Sequence, residues 1–262
     1  MAIDLRARPI VITGASSGIG RATAVACARA GMPVCAGARR VARLEELAAE
    51  VRAMGGRCAV RACDVTSAAD CAALVEACER DLGPVYAVFA NAGAAHEIGA
   101  IEAPDEEYRA TLEVNFFGTL NTIRPAIASM RREGSGHVLV CSSCLAKSGL
   151  PRMAPYTVSK AAQDHLARAM RAEFAGSGIH VSGVYPIGTR TEFHDHAGHE
   201  PPPMGRMLMQ DADVVARAVV RCLKRPRGEV WTSTPTRLLM ALGVAFPSLA
   251  DAALRRQMRA GR

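Results

Sequence analysis

Short apolar runs rich in Val and Ile alternate with stretches of helical periodicity along almost the whole chain. The runs fall at 9–13, 33–37, 57–63, 85–90, 137–141, 179–185 and 229–232, and the helical stretches at 20–30, 42–54, 68–82, 105–131, 156–175 and 213–224. The runs are apolar at successive positions rather than at every second one. Their strands must therefore be buried on both faces, as happens when helices cover both sides of a parallel sheet. Strand–helix alternation with mostly short connections predicts an α/β chain: a single doubly wound Rossmann domain, with a seven-stranded, mostly parallel sheet flanked by helices. The domain would occupy 1–234, its two halves meeting near residue 135, with a tail over 235–262.

Half of the 262 residues are hydrophobic and 22 % are charged, which excludes a disordered chain. With no apolar leader run at the N-terminus and no membrane-length apolar stretch, a soluble, cytoplasmic location is expected. Nine cysteines, an odd number in a chain of this length, fit no secreted disulfide framework. Only Cys141 and Cys144 have a redox-type spacing, and core packing is the default reading for them too. The net charge of +7 is local. Residues 217–262 hold ten Lys/Arg and two acids, a balance of +8, which leaves the rest at −1. No basic stripe interleaved with aromatics accompanies it, so no nucleic-acid partner is expected.

The first run leads through Thr13 into Gly14-Ala-Ser-Ser-Gly-Ile-Gly20 and then a helix. Glycines in a strand-to-helix turn let the backbone approach a pyrophosphate, which the helix N-terminus attracts. Gly14, Ser16, Ser17, Gly18, Ile19 and Gly20 are thus candidate dinucleotide contacts. At the end of the second strand, where an acid would hold an unphosphorylated ribose, the chain reads Ala38-Arg39-Arg40. Guanidinium groups grip a 2′-phosphate, so the expected cofactor is NADP(H), with Arg39 preferred over Arg40 as its reader.

Tyr156 and Lys160 stand four apart on one helical face. With four tyrosines and three lysines in 262 residues, roughly 0.05 such pairs are expected by chance. A phenol titrates too high to act as a base at neutral pH, and a neighbouring ammonium, together with the positive nicotinamide of an oxidised cofactor, is expected to lower it.

The spacing Thr-Gly-x-x-x-Gly-x-Gly, together with Tyr156-x-x-x-Lys160, resembles the short-chain dehydrogenase/reductase family over about residues 9–232. The resemblance implies four catalytic residues: Asn115, which orders a water leading to Lys160; Ser143, which holds the substrate oxygen; Tyr156, the acid/base; and Lys160, which also binds ribose hydroxyls. Ser142 is the rival for the serine. The resemblance further assigns Asp64 to the adenine amino group, Val65 beside it, Asn91 with Ala92 and Gly93 next to the cofactor, and Pro186 and Thr191 near the nicotinamide amide. Ile187 stands where family members usually have glycine, and Thr189 competes with Thr191. The implied activity is interconversion of a carbonyl and a secondary alcohol by an oxidoreductase, commonly a homodimer or homotetramer. The alternative is a non-catalytic NADP(H)-sensing regulator on the same fold; retention of both Tyr156 and Lys160 weighs against it.

Residues 186–210 read as a substrate lid. His194, His196, His199 and Glu200 within it are read as solvated side chains rather than a metal site, while Met204, Met207, Leu208 and Met209 suggest an apolar wall. In the tail, the apolar run 238–246 precedes Arg255, Arg256, Arg259 and Arg262. It reads as a cover for the cleft or a subunit contact in preference to a weak peripheral membrane helix.

Overall fold

A computed structural model describes residues 2–193 and 209–260, with side chains to residue 256. The elements in order are β1 (Ile10–Thr13), α1 (Gly18–Arg29), β2 (Val34–Ala38), α2 (Val41–Ala53), β3 (Cys58–Ala62), α3 (Ala68–Leu82), β4 (Ala87–Ala90) and α4 (Asp105–Leu112). A π-helical turn (Glu113–Phe117) leads into α5 (Gly118–Glu133), then β5 (Gly136–Cys141), a 3₁₀ turn (Cys144–Lys147), α6 (Ala154–Glu173) and β6 (Ile179–Tyr185). The short strands β7 (Thr189–Arg190) and β8 (Gln210–Asp211) follow, then α7 (Ala212–Lys224), β9 (Glu229–Trp231), α8 (Thr234–Ala245) and α9 (Pro247–Ala260).

Seven strands form one sheet in the order β3-β2-β1-β4-β5-β6-β9, and every neighbouring pair is parallel. Burial on both faces is the reason the runs are uniformly apolar. Ile10 and Ile12 point into one core with Leu44, Leu47 and Val219 from α2 and α7. Val11, between them, points into the other with Leu74, Ile123 and Met170 from α3, α5 and α6. Strand order reverses between β1 and β4, so the loops after those strands diverge and leave a crevice at their C-terminal ends.

The predicted elements are found, with boundary shifts of at most two residues, except in one place. The stretch expected as one helix over 105–131 is α4 and α5 separated by the π turn. Five-residue hydrogen bonding widens the helix there and turns Asn115 wholly inward. Helix α1 also starts at Gly18, two residues earlier than its apolar periodicity indicates. Of the expected lid, residues 194–208 lie outside the described part, and with them His194, His196, His199, Glu200, Met204, Met207 and Leu208. The stem on either side is held by β7 pairing with β8. All nine cysteines are buried and free, Cys141 and Cys144 included.

Candidate active site

The glycine loop crosses the crevice above β1. Gly14 and Gly18 have φ of +66° and +54°, a region that disfavours any side chain. Gly20 is constrained by space instead: a Cβ would lie 2.3 Å from the Gly14 carbonyl oxygen and 2.6 Å from Asn91 Nδ2. Asn91 donates from Nδ2 to the carbonyls of Thr13 (3.1 Å) and Gly14 (3.3 Å), tying the end of β4 to the loop. The N-terminus of α1 has no side-chain cap and no acid in its first turn, so its amides and partial positive charge stay available to an anion. Gly20→Ala is expected to cost about 2–3 kcal/mol through overpacking and to lower Tm by roughly 5 °C or more. An unchanged Tm in a thermal melt would mean the loop is looser than this geometry.

The two arginines after β2 differ in their surroundings. Arg40 donates to Ser16 Oγ (3.3 and 3.2 Å), Ser17 Oγ (2.8 Å) and Glu192 Oε2 (2.7 Å). Arg39 lies exposed within electrostatic range of Asp64. The Asp64 carboxylate accepts from Thr66 N and Oγ1, and those bonds, with the Arg39 charge, hold its pKa below the ordinary value. Val65 is buried and packs under Gly118. The space around Gly93 is tight, since a Cβ there would stand 3.2 Å from Asn115 Oδ1 and 3.5 Å from Lys160 Nζ. Ala92, next to it, is as close to the glycine loop, its Cα 2.8 Å from a Cβ built on Gly14.

Below this loop Tyr156, Lys160 and Gln163 lie along the buried face of α6. Lys160 Nζ donates to the Cys141 carbonyl and to Gln163 Oε1, both at 2.9 Å, and sits 5.4 Å from the centre of the Tyr156 ring. Gln163 Nε2 donates to the Asn115 carbonyl and to Thr119 Oγ1, each at 2.7 Å. The connection from Asn115 to Lys160 thus runs through Gln163, a residue the sequence reading passed over. Its signal was present: a polar side chain at i+3 from Lys160 on the same buried face of the helix. The Asn115 side chain bridges two elements, accepting from Ala94 N (2.8 Å) and donating to Ala94 O (2.9 Å) and Ser159 Oγ (2.8 Å).

The two serines after β5 have different tasks. Ser142 is spent on the scaffold, its hydroxyl donating to the Lys160 carbonyl at 2.9 Å. Ser143 caps the 3₁₀ turn, accepting from Leu145 N at 3.1 Å, and faces Tyr156. That turn is anchored from behind, where Lys147 donates to Asp164 Oδ2 at 2.5 Å and Tyr185 donates to Asp164 Oδ1. An apolar collar of Ala95, Met153, Leu145, Leu150 and Phe193 surrounds Tyr156, with the Phe193 ring 5.6 Å away.

Burial dominates the electrostatics here. It pushes the Tyr156 phenol above its ordinary pKa, and the Ser143 hydroxyl draws it partway back. It brings the Lys160 ammonium down to about 8. Lys160 by itself does not lower the phenol; the expectation joined its charge to that of an oxidised nicotinamide. The Lys160 ammonium is directed at Cys141 O and Gln163, and desolvation of the ring sets the direction of the phenol's shift.

After β6, Pro186 is buried and its carbonyl accepts from Cys144 N at 3.0 Å. Thr189 is buried, with its hydroxyl donating to Ile187 O (2.8 Å) and accepting from Gln210 Nε2 (3.2 Å). Thr191 packs against the glycine loop, where a Cβ on Gly18 would come within 2.9 Å of its methyl. Ile187 is not among the residues with positive φ, so the loop accommodates it without backbone strain. Among the described residues, no group of three His, Cys, Asp or Glu side chains could hold a metal ion.

Sheet order and helix layering place the molecule in the Rossmann class. The family model for short chain dehydrogenases matches residues 8–201, and the chain belongs to that family of oxidoreductases acting on CH–OH and C=O groups. It is 38 % identical over 193 residues to an A-factor type gamma-butyrolactone 1'-reductase of Streptomyces virginiae, covering 71 % of this chain and 73 % of that one. It is 33 % identical over 228 residues, 85 % of the chain, to the glycine betaine reductase ATRR of Emericella nidulans, of whose length it spans only 18 %. Among solved structures, an alcohol dehydrogenase from Thermococcus sibiricus complexed with 5-hydroxy-NADP superposes with a TM-score of 0.78 at 30 % identity, covering 86 % of this chain and 95 % of that one.

Proposed function

We propose that this chain is an NADP(H)-dependent oxidoreductase that interconverts a carbonyl and a secondary alcohol on a small, hydrophobic substrate, with Tyr156 as acid and base. The observation that carries the reading is the convergence of Ser143, Tyr156 and Lys160 at the end of β5 and on α6, inside an apolar collar beside an uncapped, glycine-lined helix terminus. The residues fit a dinucleotide. Gly14, Gly18 and Gly20 let the loop pack tightly against Ala92, Thr191 and Asn91 while the uncapped N-terminus of α1 keeps its amides available to phosphates, and Asp64, Asn91, Pro186, Thr189 and Thr191 are the residues that would hold the rest of the dinucleotide. When bound, the cofactor supplies the hydride.

The protein's own part is acid–base and electrostatic. With its pKa raised, the Tyr156 phenol is protonated at neutral pH and stands ready to donate to an oxygen gaining negative charge. Ser143 offers a second hydrogen bond to that oxygen. Lys160, charged below about pH 8, stabilises the resulting phenolate and would turn toward the ribose hydroxyls. Gln163 and Asn115 hold it in register with Tyr156. The collar of Ala95, Leu145, Leu150, Met153 and Phe193 favours an apolar ketone or aldehyde over a sugar or an acid. An NADPH-depletion screen over apolar ketones and aldehydes tests the reading, and turnover confined to polar or charged substrates would overturn it.

Arg39 is the proposed reader of the 2′-phosphate, since Arg40 is already engaged by Ser16, Ser17 and Glu192. Arg39→Ala is expected to raise the Kd for NADPH about tenfold to a hundredfold and leave that for NADH nearly unchanged, as read by cofactor fluorescence titration. Equal affinity of the parent protein for both cofactors would exclude the assignment. A homodimer or homotetramer is proposed through α4–α5 and α6, where Phe117 and Val158 are exposed. A cytoplasmic location suits nine buried free thiols.

A further inference from the structure

Beyond β9 the chain leaves the sheet and folds into α8 and α9, whose axes meet at 114°. No residue of α8 is buried. The helix rests on the 3₁₀ turn behind Ser143, and only its half-buried Thr236, Met240 and Gly243 edge is turned inward. Leu238 (60 % exposed), Leu239 (63 %), Leu242 (57 %) and Phe246 (56 %) share an arc of about 100° on the outside. Six of the eleven large hydrophobic side chains exposed among the described residues fall between Leu238 and Leu249. A contiguous patch of this kind marks a surface that meets something else.

What it meets is indicated by charge. Arg237, Arg255 and Arg256 flank the patch in sequence, all exposed, with Asp251 the one acid in the tail. A two-fold contact between copies of this face would set the same cationic patch against itself. Anionic lipid headgroups would instead neutralise the arginines while the apolar arc enters the acyl boundary. No single helix among the described residues is long and apolar enough to cross a bilayer, and the 114° bend sets α9 across α8 rather than extending it. We infer that α8 and α9 dock the protein on the surface of an anionic bilayer, laying the outer arc of α8 in the interface. The inference is independent of the reaction assigned to the site. It would place the turn that carries Ser143 next to the lipid, where an apolar substrate partitions.

The test is co-sedimentation of the full chain with phosphatidylcholine vesicles, with and without about 30 % phosphatidylserine. Binding is expected to be at least about tenfold stronger to the anionic vesicles and to weaken with added salt. L238S/L242S, at exposed positions that leave the fold's Tm unchanged, is expected to lower binding by about tenfold or more. Independently, R255E/R256E should abolish the preference for phosphatidylserine. Absence of binding to either vesicle, or equal binding by L238S/L242S and the parent, would overturn the inference. So would conversion of an oligomer to a monomer by L238S/L242S in sedimentation velocity without vesicle binding, which would assign the face to a second copy of the chain.

Discussion

Tyr156→Phe is expected to lower kcat by about a thousandfold or more while the Kd for NADPH changes by less than about twofold. The ring is held by packing rather than by its hydroxyl, lying against Phe193 and inside the collar of Ala95, Leu145, Leu150 and Met153. Phenylalanine therefore preserves shape, and the residues assigned to the dinucleotide stay in place. What disappears is the proton donor, together with the group whose charge Lys160 offsets. Ser143 does not take over, because an aliphatic hydroxyl is a much weaker acid than a phenol. Single-turnover measurements with NADPH separate the effects. A variant retaining a tenth of parental turnover would place the acid elsewhere, whereas lost turnover with lost NADPH binding would mean the substitution disturbed the site.

The second large effect concerns stability in acid and arises in the sheet itself. His137, on β5, is completely buried. Ser182 donates its hydroxyl proton to the Arg227 carbonyl at 2.6 Å, so it accepts from His137 Nε2–H at 2.7 Å. His137 Nδ1 has no partner, which leaves no group to share a second proton. Burial, aided by the neighbouring His180, depresses the pKa from 6.5 to about 3. Between those values the unfolded chain binds a proton that the folded chain refuses, so this contribution is complete above pH 6.5 and shrinks as pH falls toward 3. The loss amounts to about 2 kcal/mol by pH 5 and about 4–5 kcal/mol by pH 3. In urea unfolding at pH 7 and pH 5, His137→Leu is expected to lose about 2 kcal/mol less than the parent over that interval, because leucine fills the space without titrating. Parallel losses in both proteins would assign the acid sensitivity to other groups.

Much of this was legible in the sequence because it depends on local periodicity. Strands apolar on both faces could only belong to a covered parallel sheet, and Tyr156 with Lys160 had to share a helical face. The π turn at Glu113–Phe117 left no such trace, since the helical periodicity runs through it unbroken and the bonds of Asn115 to α6 and to the segment after β4 are made between residues distant in sequence. The capture of Arg40 by Ser16, Ser17 and Glu192 joins positions up to 152 residues apart, and no window of sequence contains it. The burial that raises the Tyr156 phenol is hidden from the sequence for a related reason. Spacing reports the neighbouring charge but not how much water the fold removes from the ring.

The position of β1 in the sheet also governs how the chain must be made. Although β1 is made well before β4, it lies near the middle of the sheet, with β2 on one side and β4 on the other, where Ile10 pairs with Ala87. Its second edge stays open until about 75 more residues have left the ribosome, roughly 4–15 s at ordinary elongation rates. During that interval the nascent chain presents Ile10–Thr13, an uncharged apolar segment, to any other extended chain nearby. Completion of the dinucleotide cradle waits on the same event, since Asn91, which fastens the glycine loop, arrives just after β4.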